Sequence, residues 1–210
     1  MAPDTDEPGL RERKRLATRR AIQHAVLTLA LDGGIEKVTV DDISRVAGIS
    51  ARTFFNYFPS KDAALLGDAP HLASDEAIEA FVRGGPDGDI LAQVADLLAE
   101  SLERSEADRE LHQLRQTVMK DSAYLFGLRM ATLREFEARL LDIVTQRFET
   151  DHPERSGTAG LAQRAQLFSL VAVAAMRHAW LCWAEGSAPT LSGCLTSSFS
   201  ELYNFTRPTG

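Results

Sequence analysis

T-V-D-D-I-S-R-V-A-G-I-S-A-R-T-F-F-N-Y-F-P-S-K, from Thr39 to Lys61, reads as two short helices about a tight turn. Thr39 is placed to cap the first helix. Asp42 follows three residues on, the spacing of a capping box with an acid where Glu or Gln is usual. Val40, Ile43, Val46 and Ala47 recur at helical spacing and predict the buried stripe. Gly48 comes next, and glycine takes a left-handed turn without steric cost. Ile49 is expected to plug the turn from inside, and Ser50 to cap a second helix that begins Ala51-Arg52-Thr53. Helix, glycine turn and capped helix at this spacing form a helix-turn-helix, whose second helix enters the DNA major groove. A plain helical hairpin has the same outline, so the flanking residues must separate the two.

Those residues are Phe54 to Lys61, F-F-N-Y-F-P-S-K, an aromatic run that ends in a lysine. With the G-I-S turn before it, the run resembles the TetR family of bacterial repressors, whose recognition helix ends in a similar threonine, aromatic, tyrosine and lysine series. The resemblance covers roughly Arg13 to Leu66. It implies a DNA-binding head on a helical body that pairs two chains and holds a small-molecule inducer. It also implies that Thr39, Thr53, Tyr57 and Lys61 hold the DNA backbone. Phe55 departs from the pattern, because tyrosine is frequent there, and a phosphate hydroxyl contact is lost. Packing on a sugar and packing on a thymine methyl both stay open for it. The F-F-N-Y-F-P-S-K wording is similar to an actinobacterial branch that includes mycofactocin regulators, which implies an acyl-CoA ligand.

Charge supports a DNA-binding end. The chain has 210 residues and a net charge of −7. Residues 9–61 nevertheless carry ten Lys or Arg against five acids, whereas the chain from residue 62 onward carries a net −9. An acidic body would repel phosphate and leave one basic end for nucleic acid. Six cations fall within Arg11 to Arg20, and Arg13, Lys14, Arg15 and Arg19 are expected to meet phosphates or the minor groove. On the second helix of the pair, Ala51, Arg52, Thr53, Phe55 and Asn56 are the candidates for base contact. Arg52 suits guanine, Asn56 adenine and Ala51 a thymine methyl, with a phosphate contact the alternative for Arg52.

Helical periodicity runs through the chain, and the expected fold is all-α. Residues 1–9 read as a disordered tail, 10–66 as a helix-turn-helix domain, and 67–210 as a helical regulatory and dimerisation domain. Helices are expected over Leu10–Asp32, Asp62–Asp68 up to Pro70, Asp75–Val82, Ile90–Arg104, Glu106–Lys120, Asp121–Glu149 and Leu161–Glu185, with a last one after Pro189. Gly84 to Gly88 is the clearest break. In the head, Val40, Ile43, Ala47, Ile49, Phe54 and Phe58 are expected to pack with Ile22, Val26 and Leu29.

The last two helices are the expected dimer seam, through Phe168, Val171, Leu191, Leu195, Phe199 and Leu202. An intrachain core accounts for part of the same surface. Candidates for an inducer pocket are His112, Arg115, Met119, Phe126, Arg177, His178, Trp180 and Trp183. Arg177 and His178 interrupt an apolar helix and call for a partner, either a ligand anion or an acid such as Glu137 or Asp142.

Other classes are disfavoured. The stretch from Leu167 to Ala184 has the length of a membrane span but contains Arg177 and His178, so a cytoplasmic location is expected. Met1 to Gly9 is polar and unlike a signal peptide. Cys182 and Cys194 read as small buried hydrophobes. No His pair is spaced to chelate a metal on one helix, and no phosphate loop or nucleophile elbow occurs. No cofactor is expected. A helical adaptor for another protein is the competing reading, and an enzyme using His178 with Cys182 is the weakest.

Overall fold

The computed structural model describes residues 9–67, 72–85, 88–103, 108–120 and 122–206. The expected tail over residues 1–8, the stop at Pro70, the middle of the glycine-rich break, Arg104 and Glu106 as helix ends, and Asp121 as a helix start lie outside these. Ten α-helices occur among the described residues: α1 Leu10–Gly33, α2 Val40–Ala47, α3 Ala51–Tyr57, α4 Lys61–Leu66, α5 Asp75–Val82, α6 Ile90–Glu103, α7 Arg109–Lys120, α8 Ala123–Asp151, α9 Ala159–Ala184 and α10 Leu191–Thr206. No strand is present among the described residues, and the fold is all-α.

Contacts divide the chain into two compact units. Residues 1–67 group with 110–126, and 68–109 group with 127–210. The unit that contains the helix-turn-helix thus takes in a second stretch, most of α7 and the start of α8, beyond residues 10–66. Three interactions tie that stretch down. Arg115 Nε donates to the Leu65 carbonyl at 2.7 Å, in the last turn of α4. Glu110 accepts from Arg20 on α1 at 2.6 Å. Tyr124 donates to the Asp62 carboxylate at 3.1 Å.

The helix pair forms for the local reasons its sequence gives. Thr39 Oγ1 accepts the Asp42 N–H at 3.1 Å, and Ser50 Oγ accepts the Thr53 N–H at 3.1 Å, so both helices start on a side-chain cap. Gly48 stops α2 with φ 68°, in the left-handed region. Phe54 and Phe58 are buried with Ile22, Val26 and Ile43. One expectation fails here. Val46 is 50% exposed, and Ser44 is buried instead, because Val40, Ile43, Ser44 and Ala47 share the i, i+3, i+4, i+7 face. On α1, Leu27 is fully buried while Leu29 is half-buried, because α1 is covered by both α2 and α4 and buries a broad side.

The second unit builds one core from α5, α6, α8, α9 and α10, with Leu98, Leu140, Val144, Ala172 and Leu195 at its centre. Arg147 of α8 lies fully buried in it. Its guanidinium donates to Asp151 at 2.6 Å, to Gln93 at 2.7 Å, to the Gly85 carbonyl at 2.7 Å, and to the Phe81 carbonyl. A buried cation is tolerable when paired and hydrogen-bonded in this way. The glycine break has a packing role as well, since a Cβ on Gly84 would collide with the Arg147 guanidinium.

Candidate nucleic-acid interface

Seven residues make α3, so its exposed arc is small and can be read residue by residue. Arg52, Phe55 and Asn56 are exposed, Ala51, Thr53 and Tyr57 are half-buried, and Phe54 is buried. A helix advances about 100° per residue, which puts Arg52 at the centre of the arc, opposite Phe54. The Thr53 hydroxyl lies 2.8 Å from Ser50 Oγ and serves the cap. The arc can offer a bidentate guanidinium, a side-chain amide and a phenyl ring.

Beside α3, the start of α1 forms one wall of a cleft of about 630 Å³. Its lining includes Arg11, Lys14, Arg15 and Arg19 from α1 with Asn56 and Tyr57 from α3. Three of the four α1 cations expected at phosphate are therefore brought together with the recognition helix. Arg13 is exposed on α1 outside that lining, whereas Arg11, read only as part of the basic run, lies within it. Arg15 holds Glu12 at 2.6 Å, and that hydrogen bond, acting against desolvation and helped by the pair's charge attraction, keeps the Glu12 carboxyl below its usual range. Arg19 lies 4.3 Å over the Phe58 ring and donates to the Tyr57 carbonyl at 3.4 Å, which ties α1 to the end of α3.

Lys61 was expected at a phosphate, yet its ammonium donates to the carbonyls of Ile35 and Val38 at 2.7 and 2.8 Å. Those carbonyls belong to the connector that delivers Thr39 to its cap. In the free protein the lysine holds the helix pair in place. Lys61 marks a long-range interaction that no local spacing reveals. Thr39 is similarly engaged, because its hydroxyl donates to the Asp42 carboxylate at 2.6 Å.

Residues 22–66 match the family model of the N-terminal domain of bacterial regulatory proteins of the TetR family. The chain is 30% identical over 156 residues to the HTH-type transcriptional regulator TcmR of Streptomyces glaucescens, covering 69% of this chain and 66% of that one. It is 44% identical over 62 residues to the mycofactocin biosynthesis transcriptional regulator MftR of Mycobacterium tuberculosis, covering 29% and 31%. The chain belongs to the TetR family. Residues 22–66 are thus a helix-turn-helix domain of the TetR type. The matched stretches cover just under two thirds of the first relative's length and about a third of the second's.

The candidate pocket residues of this TetR-family chain are not gathered in either unit. His112, Arg115, Met119 and Phe126 fall in the first, and Arg177, His178, Trp180 and Trp183 in the second. Arg115 is committed to the α4 carbonyl, and Phe126 is exposed. Arg177 and His178 are both exposed, so the partner that burial would demand is not required. Among the described residues, neither Glu137 nor Asp142 pairs with Arg177. Trp183 is buried in the core, its ring 5.5 Å from that of Trp180 and 4.9 Å from the Arg109 guanidinium. One cleft in the second unit, about 390 Å³, lies elsewhere, between Phe148, Leu161, Arg155 and Arg164.

The expected dimer residues also divide. Leu191, Leu195 and Phe199 are buried within the chain's own core, and Phe168, Val171 and Leu202 are half-buried. The large aliphatic side chains left in solvent on α9 are Leu167, Leu170 and Leu181, which are 65%, 51% and 53% exposed. Sequence periodicity on α10 marked the side that packs on α9 and α6 rather than the side facing out. Cys194 is buried as expected, and burial pushes its thiol up, whereas Cys182 is only half-buried and touches His178, with Sγ 3.4 Å from Nε2. Among the described residues, no group of three or more His, Cys, Asp or Glu could hold a metal ion.

Proposed function

We propose that this protein is a cytoplasmic, homodimeric repressor that binds a palindromic DNA operator and is released from it by a small apolar or amphipathic molecule. The observation that carries the reading is the exposed Arg52, Phe55 and Asn56 arc beside a cleft lined by Arg11, Lys14, Arg15 and Arg19, on a chain whose remainder is acidic. Base edges in the major groove are matched by the arc, and flanking phosphates by the cleft.

One such head buries too little surface for tight specific binding, so two are needed. The α9 stripe of Leu167, Leu170, Ala174 and Leu181 supplies a face that a second copy can cover. A twofold axis through that face would repeat the operator half-site in inverted order. For the ligand, a floor of Phe148 and Leu161 with Arg155 and Arg164 at the rim suits the charged end of an amphipathic molecule such as an acyl-CoA. No catalytic step is assigned to the chain.

The test is a mobility-shift assay on the chain's own upstream DNA at two salt concentrations. Specific binding that weakens steeply with salt is expected, because phosphate contacts release counterions. Salt-insensitive binding, or none, would overturn the reading. Thermal melting with acyl-CoAs and with planar aromatic compounds then sorts the ligand classes, since a ligand of the folded state raises the transition. No shift with either class would remove the ligand part.

A further inference from the structure

We infer that Phe55 is a specificity residue that selects thymine by its 5-methyl group. The inference rests on the DNA-binding reading above and deepens it. Phe55 is 57% exposed on α3, a large apolar side chain set between polar ones. The head's core does not need it, because Phe54 and Phe58 fill that role at 0% and 3% exposure.

Helix phase places the ring. Arg52 stands at the centre of the exposed arc, Asn56 about 40° to one side and Phe55 about 60° to the other. The α1 cations meet α3 at Asn56 and Tyr57, so the phosphate-binding cleft opens on the far side of Arg52 from Phe55. A phenyl ring offers a phosphate no hydrogen bond. Among base edges, the thymine methyl is the apolar group that the major groove presents. Phe55 is also pre-positioned, since its ring stands edge-on to Phe54, with centroids 5.4 Å apart and planes at 89°. Little ordering is needed for it to meet a methyl group. The resulting preference is for a thymine next to the base read by Arg52, once in each half-site.

Deoxyuridine tests this without disturbing any hydrogen bond, because it differs from thymidine by the methyl alone. Full-length protein is used to select its sites from a random duplex library, and each thymine of the selected site is then replaced in turn by deoxyuridine. Wild-type binding is expected to weaken about three- to five-fold at one thymine per half-site, the loss that follows from one buried methyl. F55A is expected to bind more weakly overall and to be indifferent to uracil at that position, whereas F55L keeps part of the effect. An unchanged melting profile for F55A shows that the head is intact, and F55L carries the comparison if F55A melts early. Indifference of the wild type at every thymine would overturn the inference while leaving DNA binding in place. So would an equal uracil penalty in F55A. Failure to select any duplex would overturn the DNA-binding reading, and this inference with it.

Discussion

The solvent face of α3 carries a guanidinium, an amide and a phenyl ring within five positions, whereas that of α9 carries leucines at 167, 170 and 181 with Ala174 between them. Both helices hide their other side in a core, but they reach it differently. In α3, Phe54 alone is fully buried, and two caps and a glycine turn set the ends. In α9, ten residues are buried along 26, and position is set by packing against α10 and α6. A short helix held by local devices can present a varied polar face, as a groove of bases requires. A long helix that leaves three leucines outside, among residues such as Arg177 and His178, still has apolar surface to cover, and a second copy is the cover proposed here.

The largest effect is expected on the α9 face. Leu170→Asp should weaken dimerisation by about 3–6 kcal/mol, because a twofold interface loses the covering of this half-exposed leucine twice and must also desolvate two carboxylates. Sedimentation should show monomer at concentrations where the wild type is dimeric, and apparent operator affinity should fall with it. A stable L170D dimer would break the contrast, since the leucine stripe would then have no partner role.

Next is the buried network of the second unit. Arg147→Ala removes the partner of Asp151 and leaves the carbonyls of Phe81 and Gly85 without their donor. Breaking a buried pair from one side costs about 3–5 kcal/mol, to be read as a lower urea midpoint. Wild-type stability in R147A would mean that water replaces the guanidinium there.

Arg147 also shows where legibility in the sequence ends. The R-F-E-T-D spacing of Arg147 to Asp151 is that of any exposed i, i+4 pair, and only the assembled core makes it a buried hub. Lys61 is similar, because its carbonyl partners lie 26 and 23 residues away. By contrast, Thr39, Gly48 and Ser50 act on neighbours within three or four residues, so the helix pair and its exposed arc could be read directly. The all-α class was legible for the same reason, since helix periodicity is local. Which apolar side of α10 faced inward was not, because Leu191, Leu195 and Phe199 fit a dimer seam and an intrachain core equally well by spacing alone.

Ser50→Ala sharpens the α3 half of the comparison at a smaller scale. Loss of the cap should cost about 1 kcal/mol, within the usual range for a serine N-cap. Amide hydrogen exchange in α3 should speed up accordingly, with exchange in α9 unchanged. Equal acceleration in both helices would show that α3 is not set by its own cap.

The smallest effect concerns the first helix of the pair and its pH response. The hydrogen bond from the Thr39 hydroxyl, then that from Arg45, hold the Asp42 carboxyl below its ordinary value. A carboxylate whose folded pKa is depressed stabilises the fold above the unfolded value, which is about 4. That contribution is lost as pH falls through the lower folded value. Asp42→Asn removes the titration, so the melting temperature of D42N should fall less steeply than that of the wild type below pH 4. The Arg45 part of the difference should shrink with added salt, because Arg45 is exposed and its attraction is screened. Parallel curves for the two proteins between pH 5 and pH 2 would show that the Thr39 cap works without its carboxylate. The helix pair would then depend on hydroxyl caps alone, as α3 does at Ser50.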